Sequence, residues 1–123
     1  PHRGPVSAPY THSACFATHR DRAGFNASNE ASAEGVARGI QESAEKGLIV
    51  VGYDSGKAQI DAIRNGTLAG SITQNPIAIG EQVVAAAMKA IHGVSQPKFI
   101  DTGFYWYDKT NVDDPKITPL LYQ

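Results

Sequence analysis

The sequence has little that would place it in a special structural class. Its single cysteine, Cys15, excludes an intrachain disulfide. No stretch approaches the roughly 20 apolar residues of a transmembrane helix, and residues 1–24 lack the apolar segment of a signal peptide. Eleven basic residues nearly balance twelve acidic ones, which gives no electrostatic basis for binding nucleic acid or an anionic membrane. What remains is a globular chain, 41% hydrophobic, that can bury a single core.

Composition divides the chain near Gly24. Residues 1–24 hold three of the four histidines and three of the seven prolines. Three arginines against one aspartate give this segment a charge of +2, whereas eight basic and eleven acidic residues give the rest −3. We therefore predict an irregular lead-in of atypical composition over residues 1–24 and one α/β domain over residues 25–123.

Helix and strand patterns alternate after Gly24. Apolar residues at helical spacing predict three helices, at 31–45, 57–65 and about 77–92. Short apolar runs predict strands at Leu48–Tyr53 and Leu68–Thr73, followed by an extended segment at 98–107. Strands that alternate with helices run parallel and are joined by right-handed crossovers. The prediction is an α/β fold with a Rossmann-like parallel sheet and flanking helices.

Two apolar features of the second half are assigned to the interior. The third predicted helix is expected to bury one face, formed by Ile79, Val83, Val84, Ala87, Met88 and Ile91. In the aromatic run Phe104–Tyr107, two side chains are expected in the core and two at an interface. Residues 111–123 are expected to form a proline-bearing tail.

Polar residues stand where each apolar run gives way to a helix. Asn29, Asp54 and Gln74 occupy three successive junctions of this kind. Ligands of open α/β sheets bind at the carboxyl ends of the strands, beside helix N-termini. Amide donors, amide acceptors and a carboxylate suit polyhydroxylated ligands, because each hydroxyl both donates and accepts. The alternative is that each residue only caps a helix, although glutamine is a poor cap.

Several motifs closely resemble those of type I periplasmic sugar-binding proteins, the ribose-binding-like solute receptors of ABC transporters. They are Phe25–Glu30 with Gly35, Val50–Asp54, Ile60-x-x-Ile63-x-x-Gly66, Gln74-Asn75-Pro76-x-x-x-Gly80 and Pro97–Gly103 followed by Asn111-Val112-Asp113. The motifs are similar to those in the C-terminal part of these receptors, and the resemblance covers roughly four-fifths of this chain, from about Phe16 or Ala23 to its end. The Gly-Tyr-Asp and Gln-Asn-Pro motifs at their mutual spacing are the most specific.

This resemblance implies a non-catalytic receptor that clamps a monosaccharide between two lobes. Asn29, Asp54 and Gln74 match the family's sugar-contacting positions, with Gln74 at the hinge between lobes. It further implies a periplasmic location and an ABC permease as partner of the full-length receptor. The chain is long enough for only one lobe region, so the predicted helix at 77–92 and the strand near 98–103 would lack their usual partners. A homo-oligomer or a complementary lobe would then cover them.

The sequence also allows other functions. LacI-type transcription regulators have effector-binding regions of the same fold, and a self-associating lobe without ligand is a third possibility. His12, Cys15 and His19, with His2 as a fourth donor, have the spacing of metal ligands, but structural zinc sites usually pair cysteines. No phosphate loop, dinucleotide fingerprint or nucleophile elbow is present, so we expect no catalytic residues, no metal and no cofactor.

Overall fold

Three strands lie side by side and run in the same direction. In the computed structural model, which describes residues 21–43 and 46–122, β1 spans Gly24–Asn26, β2 Ile49–Tyr53 and β3 Gly70–Thr73. β1 pairs in parallel with β2, and β2 in parallel with β3. The β-branched residues that open β2 favour extended backbone. The predicted α/β fold with a Rossmann-like sheet is confirmed.

Three helices connect the strands. They are α1 at Glu30–Ser43, α2 at Lys57–Arg64 and α3 at Pro76–Ile91. Asn75 caps α3, since its side chain accepts a 3.3 Å hydrogen bond from the Ala78 N–H. Gly66 and Gly93, with φ of +85° and +73°, follow the ends of α2 and α3 in the left-handed conformation that ends many helices. The predicted end of the first helix at residue 45 lies outside the described residues.

The fourth strand corrects two expectations. Of the segment 98–107 that was expected to be extended, only its end lies in a strand, β4, at Tyr105–Asp108. β4 joins the other side of β3 and runs antiparallel to it, so the sheet order is β1-β2-β3-β4 and the sheet is not wholly parallel. The chain re-enters the sheet opposite Thr73, where β3 ends, and from that edge a strand can only run back.

The hydrophobic core lies between the sheet, α1 and α2. α1 packs against both β2 and α2. The buried cluster consists of Val36, Ala37, Val50, Ile60, Ala62, Ile63, Leu68, Tyr107, Val112 and Leu121. Small residues on α1 allow the helix to approach the sheet closely. Val112 and Leu121 show that the expected tail is packed, and it forms a short 3-10 helix at Thr118–Leu120.

The predicted buried face of α3 is wrong for this chain. Within the described residues α3 has no buried side chain, and Val84 is 63% and Ile91 77% exposed. The apolar stripe is present, but its residues are exposed or at most half-buried. The expectation that two of the four aromatic residues lie in the core is likewise wrong in part: Tyr107 alone of the four is buried, whereas Tyr105 is 42%, Trp106 43% and Phe104 74% exposed. No helix within the described ranges is long and apolar enough to cross a membrane.

Substituting isoleucine by alanine on two helices tests this division into covered and uncovered faces. Ile63→Ala in α2 removes a fully buried side chain, so we expect the free energy of unfolding to fall by about 2–5 kcal/mol. Ile77→Ala in α3 removes an exposed one, and we expect a change of about 0.5 kcal/mol or less. Urea denaturation at several protein concentrations measures both. Equal losses would mean that another copy of the chain covers α3.

Candidate functional site

The parallel strands bring three strand-to-helix junctions to one edge of the sheet. β2 ends at Tyr53, which pairs with Ile72 of β3. β3 ends one residue after Ile72, at Thr73, so the two strands end side by side. The first turns of α1, α2 and α3 follow at that same edge, which we call the carboxyl edge. Helix N-termini carry free N–H groups and partial positive charge, which favour ligands with acceptor oxygens.

Asn29 lies at the first junction and caps α1. Its Oδ1 accepts a 2.9 Å hydrogen bond from the Ser32 N–H. The capping alternative raised by the sequence is therefore correct for this oxygen. The residue is exposed, and within the described part of the chain its amide nitrogen donates no hydrogen bond to the protein. Asn29 can thus cap its helix and still offer an N–H donor at the carboxyl edge.

Asp54 lies at the second junction and does not act as a helix cap. Gly56 occupies the N-cap position of α2, without a side-chain hydrogen bond. Asp54 has φ of +74°, in the left-handed region that aspartate tolerates better than most residues. Its side chain is partly exposed, and no hydrogen bond ties the carboxylate to the described part of the chain. The carboxylate is therefore available to accept from a ligand.

Gln74 lies at the third junction, between a buried and a capping residue. Thr73 before it is fully buried, and Asn75 after it caps α3. Gln74 itself is exposed, with no hydrogen bond to the described residues. The structure therefore places all three predicted residues at the carboxyl edge, and capping accounts for one of them.

A layer of buried polar side chains lies beneath Asp54, and the sequence analysis did not identify it. Gln59 and Ser71 are fully buried, as is Tyr107 from β4. Each of the three donates a hydrogen bond to the main-chain carbonyl oxygen of Asp54. Burial raises the pKa of the Tyr107 phenol to about 12, so the hydroxyl stays a donor at neutral pH. The sequence did contain a signal for this layer, because Gln59, Ser71 and Tyr107 are polar residues within elements that are otherwise apolar where they face the core.

The C-terminal segment also reaches the carboxyl edge. Leu120 O accepts a 2.9 Å hydrogen bond from Thr73 Oγ1, and the Tyr122 N–H donates to Ser55 Oγ at 3.4 Å. The Tyr122 hydroxyl donates to the carboxylate of Glu30, the first residue of α1. The pKa of Tyr122 is raised, mainly because the phenol is removed from water and secondly because it donates this hydrogen bond to Glu30. The segment thus ties the starts of α1 and α2 together.

Metal ligands and cavities give no competing site at the junctions. The described residues contain no cluster of three or more histidine, cysteine or acidic side chains that could hold a metal. His2, His12, Cys15 and His19 lie outside those residues, so that alternative stays a prediction. A cavity of about 320 Å³ lies between α1 and α2. Arg38 and Gln41 of α1 and Asn65, which follows α2, are among the residues that line it, whereas Asn29, Asp54 and Gln74 are not.

Comparison with known proteins decides the family. The model of the periplasmic binding protein domain matches residues 11–94, which is well over half of the chain. This chain belongs to that family. No curated protein matches it significantly.

Solved structures of this periplasmic binding protein family superimpose on nearly the whole chain. An ABC transporter solute-binding protein from Agrobacterium vitis, bound with alpha-D-tagatopyranose, is 30% identical, with a TM-score of 0.93 over 100% of this chain. A second from the same organism, with bound D-fucose, is 29% identical, with a TM-score of 0.90 over 97%. A Brachyspira murdochii protein, described as an ABC transporter and LacI family transcriptional regulator, is 41% identical, with a TM-score of 0.79 over 97%.

The chain spans 42%, 41% and 40%, respectively, of the length of those three relatives. Most of each relative therefore has no counterpart here. The superposition nevertheless includes α3 and β4, because it extends over 97–100% of this periplasmic binding protein chain. The placement of the uncovered helix is thus shared with much longer proteins.

The raised pKa of Tyr107 predicts a loss of stability in base. The folded pKa of about 12 lies above the ordinary value of 10.0, so the folded state holds the phenolic proton more tightly than the unfolded state. The stability this contributes is complete below pH 10 and is lost as the pH rises toward 12. We expect the free energy of unfolding to fall over that interval.

Urea denaturation between pH 8 and 12 measures this effect. The fall should be smaller in Tyr107→Phe, which has no phenolic proton at that position. Tyr105→Phe is the matched control, since Tyr105 lies in the same strand but is 42% exposed. An identical pH dependence in wild type and Tyr107→Phe would contradict the assignment.

Proposed function

We propose that this chain is the C-terminal, ligand-holding portion of a periplasmic, non-catalytic monosaccharide receptor of an ABC sugar-uptake system. The observation that carries the proposal is the placement of Asn29, Asp54 and Gln74 at one edge of the sheet, in a member of the periplasmic binding protein family. The sugar-bound Agrobacterium vitis relatives support a sugar as the ligand. The permease of the uptake system is the partner of the full-length receptor.

The three side chains supply complementary hydrogen-bonding groups to one edge of a pentose or hexose. The Asp54 carboxylate accepts from two hydroxyl groups in charge-assisted hydrogen bonds, the stronger kind. Asn29 donates from its amide nitrogen while its oxygen caps α1, and the Gln74 amide both donates and accepts. Such a set recognises neighbouring hydroxyls without any reacting group, which suits binding rather than catalysis.

The other edge of the sugar is contributed by a second lobe. The exposed apolar residues of α3, namely Ile77, Val83, Val84, Met88 and Ile91, leave a face that a single lobe does not cover. Relatives that share the placement of α3 are more than twice as long as this chain. A lobe packed on α3 would bury this face, and hinge closure would bury the sugar at the carboxyl edge.

Titration with sugars, followed by ¹H–¹⁵N NMR, tests the proposal on the chain itself. D-fucose and D-tagatose at millimolar concentration should shift the amide signals of the three junctions, because even one lobe retains part of the site. Asp54→Asn removes the charge but keeps a residue that tolerates positive φ, and we expect affinity to fall about 10- to 100-fold. Shifts unaffected by Asp54→Asn, or none at the junctions, would contradict the proposal.

Asp113→Ala is the matched control for that titration. Asp113 is an exposed carboxylate paired with Arg64, which ends α2 at the opposite edge of the sheet. We expect its removal to leave sugar affinity unchanged, because surface ion pairs of this kind have local effects of about 1 kcal/mol or less. A loss of affinity equal to that of Asp54→Asn would mean that charge in general, rather than the site, governs binding.

Asn29→Asp separates capping from ligand binding at the first junction. Aspartate keeps the side-chain oxygen that accepts from Ser32 N–H, and its charge suits a helix N-terminus. We therefore expect the melting temperature to stay the same or rise, while sugar affinity falls about tenfold because the amide donor is lost. Thermal unfolding by circular dichroism and the same NMR titration measure the two effects. Unchanged sugar affinity would mean that Asn29 only caps α1 and does not bind the ligand.

Two specific observations support second candidates. The Brachyspira murdochii relative is described partly as a LacI family regulator, which favours the effector-binding region of such a regulator. Fractionation of the source cells separates the two, since a receptor is exported and a regulator is not. The exposed face of α3 favours a self-associating lobe. Native mass spectrometry that finds multimers without sugar, unaffected by Asp54→Asn, would support that alternative.

A further inference from the structure

Three buried donors converge on one main-chain oxygen beneath the carboxyl edge. The carbonyl oxygen of Asp54 accepts from Gln59 Nε2 at 2.9 Å, from Ser71 Oγ at 3.0 Å and from the Tyr107 hydroxyl at 2.6 Å. The donors come from α2, β3 and β4. A carbonyl has two lone pairs, so three donors are more than its ordinary complement.

The same residue is held from its other side. The Asp54 N–H donates to Ile72 O at 2.8 Å, which continues the pairing of β2 with β3 by one residue. Both peptide groups that flank the Asp54 Cα are therefore held by hydrogen bonds. The orientation of the two peptide planes determines the direction of the Cα–Cβ bond. These hydrogen bonds therefore determine the direction in which the Asp54 side chain leaves the backbone. They also hold Asp54 at φ of +74°, a conformation that costs free energy outside glycine.

The surrounding sequence leaves room for this arrangement. A Cβ placed on Gly52 would lie 2.6 Å from Gln59 Nε2 and 3.1 Å from Ser71 Oγ, so any other residue at this position would displace the Gln59 amide from its present place. Gln59 Nε2 also reaches the Tyr53 carbonyl oxygen at 3.1 Å. Its Oε1 has no hydrogen-bond partner among the described residues. Burial of an unpartnered polar atom costs about 1–3 kcal/mol, so the hydrogen bonds donated by Gln59 Nε2 come at a cost in stability.

We propose that Tyr107 is a positioning residue of the ligand site: its hydroxyl, with Gln59 and Ser71, orients Asp54 so that the carboxylate meets ligand hydroxyls at the carboxyl edge. The inference deepens the proposed function and rests on it. Tyr107 lies in β4, the strand that follows α3 and residues 92–104. In the proposed receptor, α3 faces the second lobe and Asp54 binds the sugar. β4, which follows α3 in the chain, therefore contacts the sugar-binding residue through Tyr107.

The test compares single-atom deletions in the full 123-residue chain. Tyr107→Phe removes one donor to Asp54 O, and Ser71→Ala removes another. Tyr105→Phe is the control, because Tyr105 lies in the same strand and donates no hydrogen bond to Asp54 within the described chain. Two quantities are measured: the ¹³C chemical shift of the Asp54 carbonyl, which reports hydrogen bonds to its oxygen, and the affinity for D-fucose and D-tagatose by NMR titration.

We expect Tyr107→Phe and Ser71→Ala each to move the Asp54 carbonyl signal upfield and to weaken sugar binding about three- to tenfold. Tyr105→Phe should change neither quantity. An unmoved carbonyl signal in both variants would overturn the inference. So would a moved signal with unchanged sugar affinity, provided that Asp54→Asn still weakens binding.

The failure of the proposed function gives a different result. If Asp54→Asn leaves sugar binding unchanged, Asp54 is not a ligand residue, and the positioning role is overturned with it. The carbonyl signal would then still move in Tyr107→Phe, because the hydrogen bond exists whether or not a sugar binds. The two failures are therefore distinguishable within one set of samples.

Discussion

The parallel pairing of β1, β2 and β3 is the constraint on which the rest of this structure depends. Parallel strands must end at the same edge, and the helix that follows each strand must begin there. Residues that are separated by about twenty positions in the chain are thereby brought to one line. Asn29, Asp54 and Gln74 share an edge for this reason alone, and so do the N-termini of three helices.

The polar residues at this edge are supported by a second polar layer that is wholly inside the protein. Gln59, Ser71 and Tyr107 are buried, and burial of hydroxyl or amide groups is unfavourable unless they form hydrogen bonds. Their shared partner is the carbonyl of a residue with positive φ, so buried groups stabilise an unusual backbone conformation. The arrangement links α2, β3 and β4 at Asp54, the residue whose carboxylate we propose to bind the ligand.

The chain is unevenly covered. α1 and α2 bury their apolar faces against the sheet, whereas α3 is amphipathic and has no buried residue among those described. Exposed valine, isoleucine and methionine at helical spacing form a contiguous apolar surface, and such surfaces mark sites of association. The same helix occupies the same place in relatives more than twice as long. In the proposed receptor, this apolar stripe is the surface on which a further lobe packs.

Local patterns were sufficient to predict the three helices, the parallel strands β2 and β3, and the position of the three junction residues at strand ends. Periodicity identifies the inward face of α1 and α2, and Asn75 and Gly66 mark helix boundaries by their own backbone preferences. These features depend on neighbours a few residues away. The resemblance to the periplasmic binding proteins rests on the same local motifs, which is why it is recognisable in a chain that spans 41–42% of the length of its relatives.

Only the tertiary structure decided which apolar faces are covered and which polar residues support the site. Periodicity shows that a helix has an apolar face but cannot say whether another element covers it, and α3 has no residue that the described part of the chain buries. The direction of β4 depends on where the chain re-enters the sheet. The hydrogen bond from Tyr107 to Asp54 joins residues 53 positions apart. No local pattern encodes such a contact, because it exists only once β4 has paired with β3.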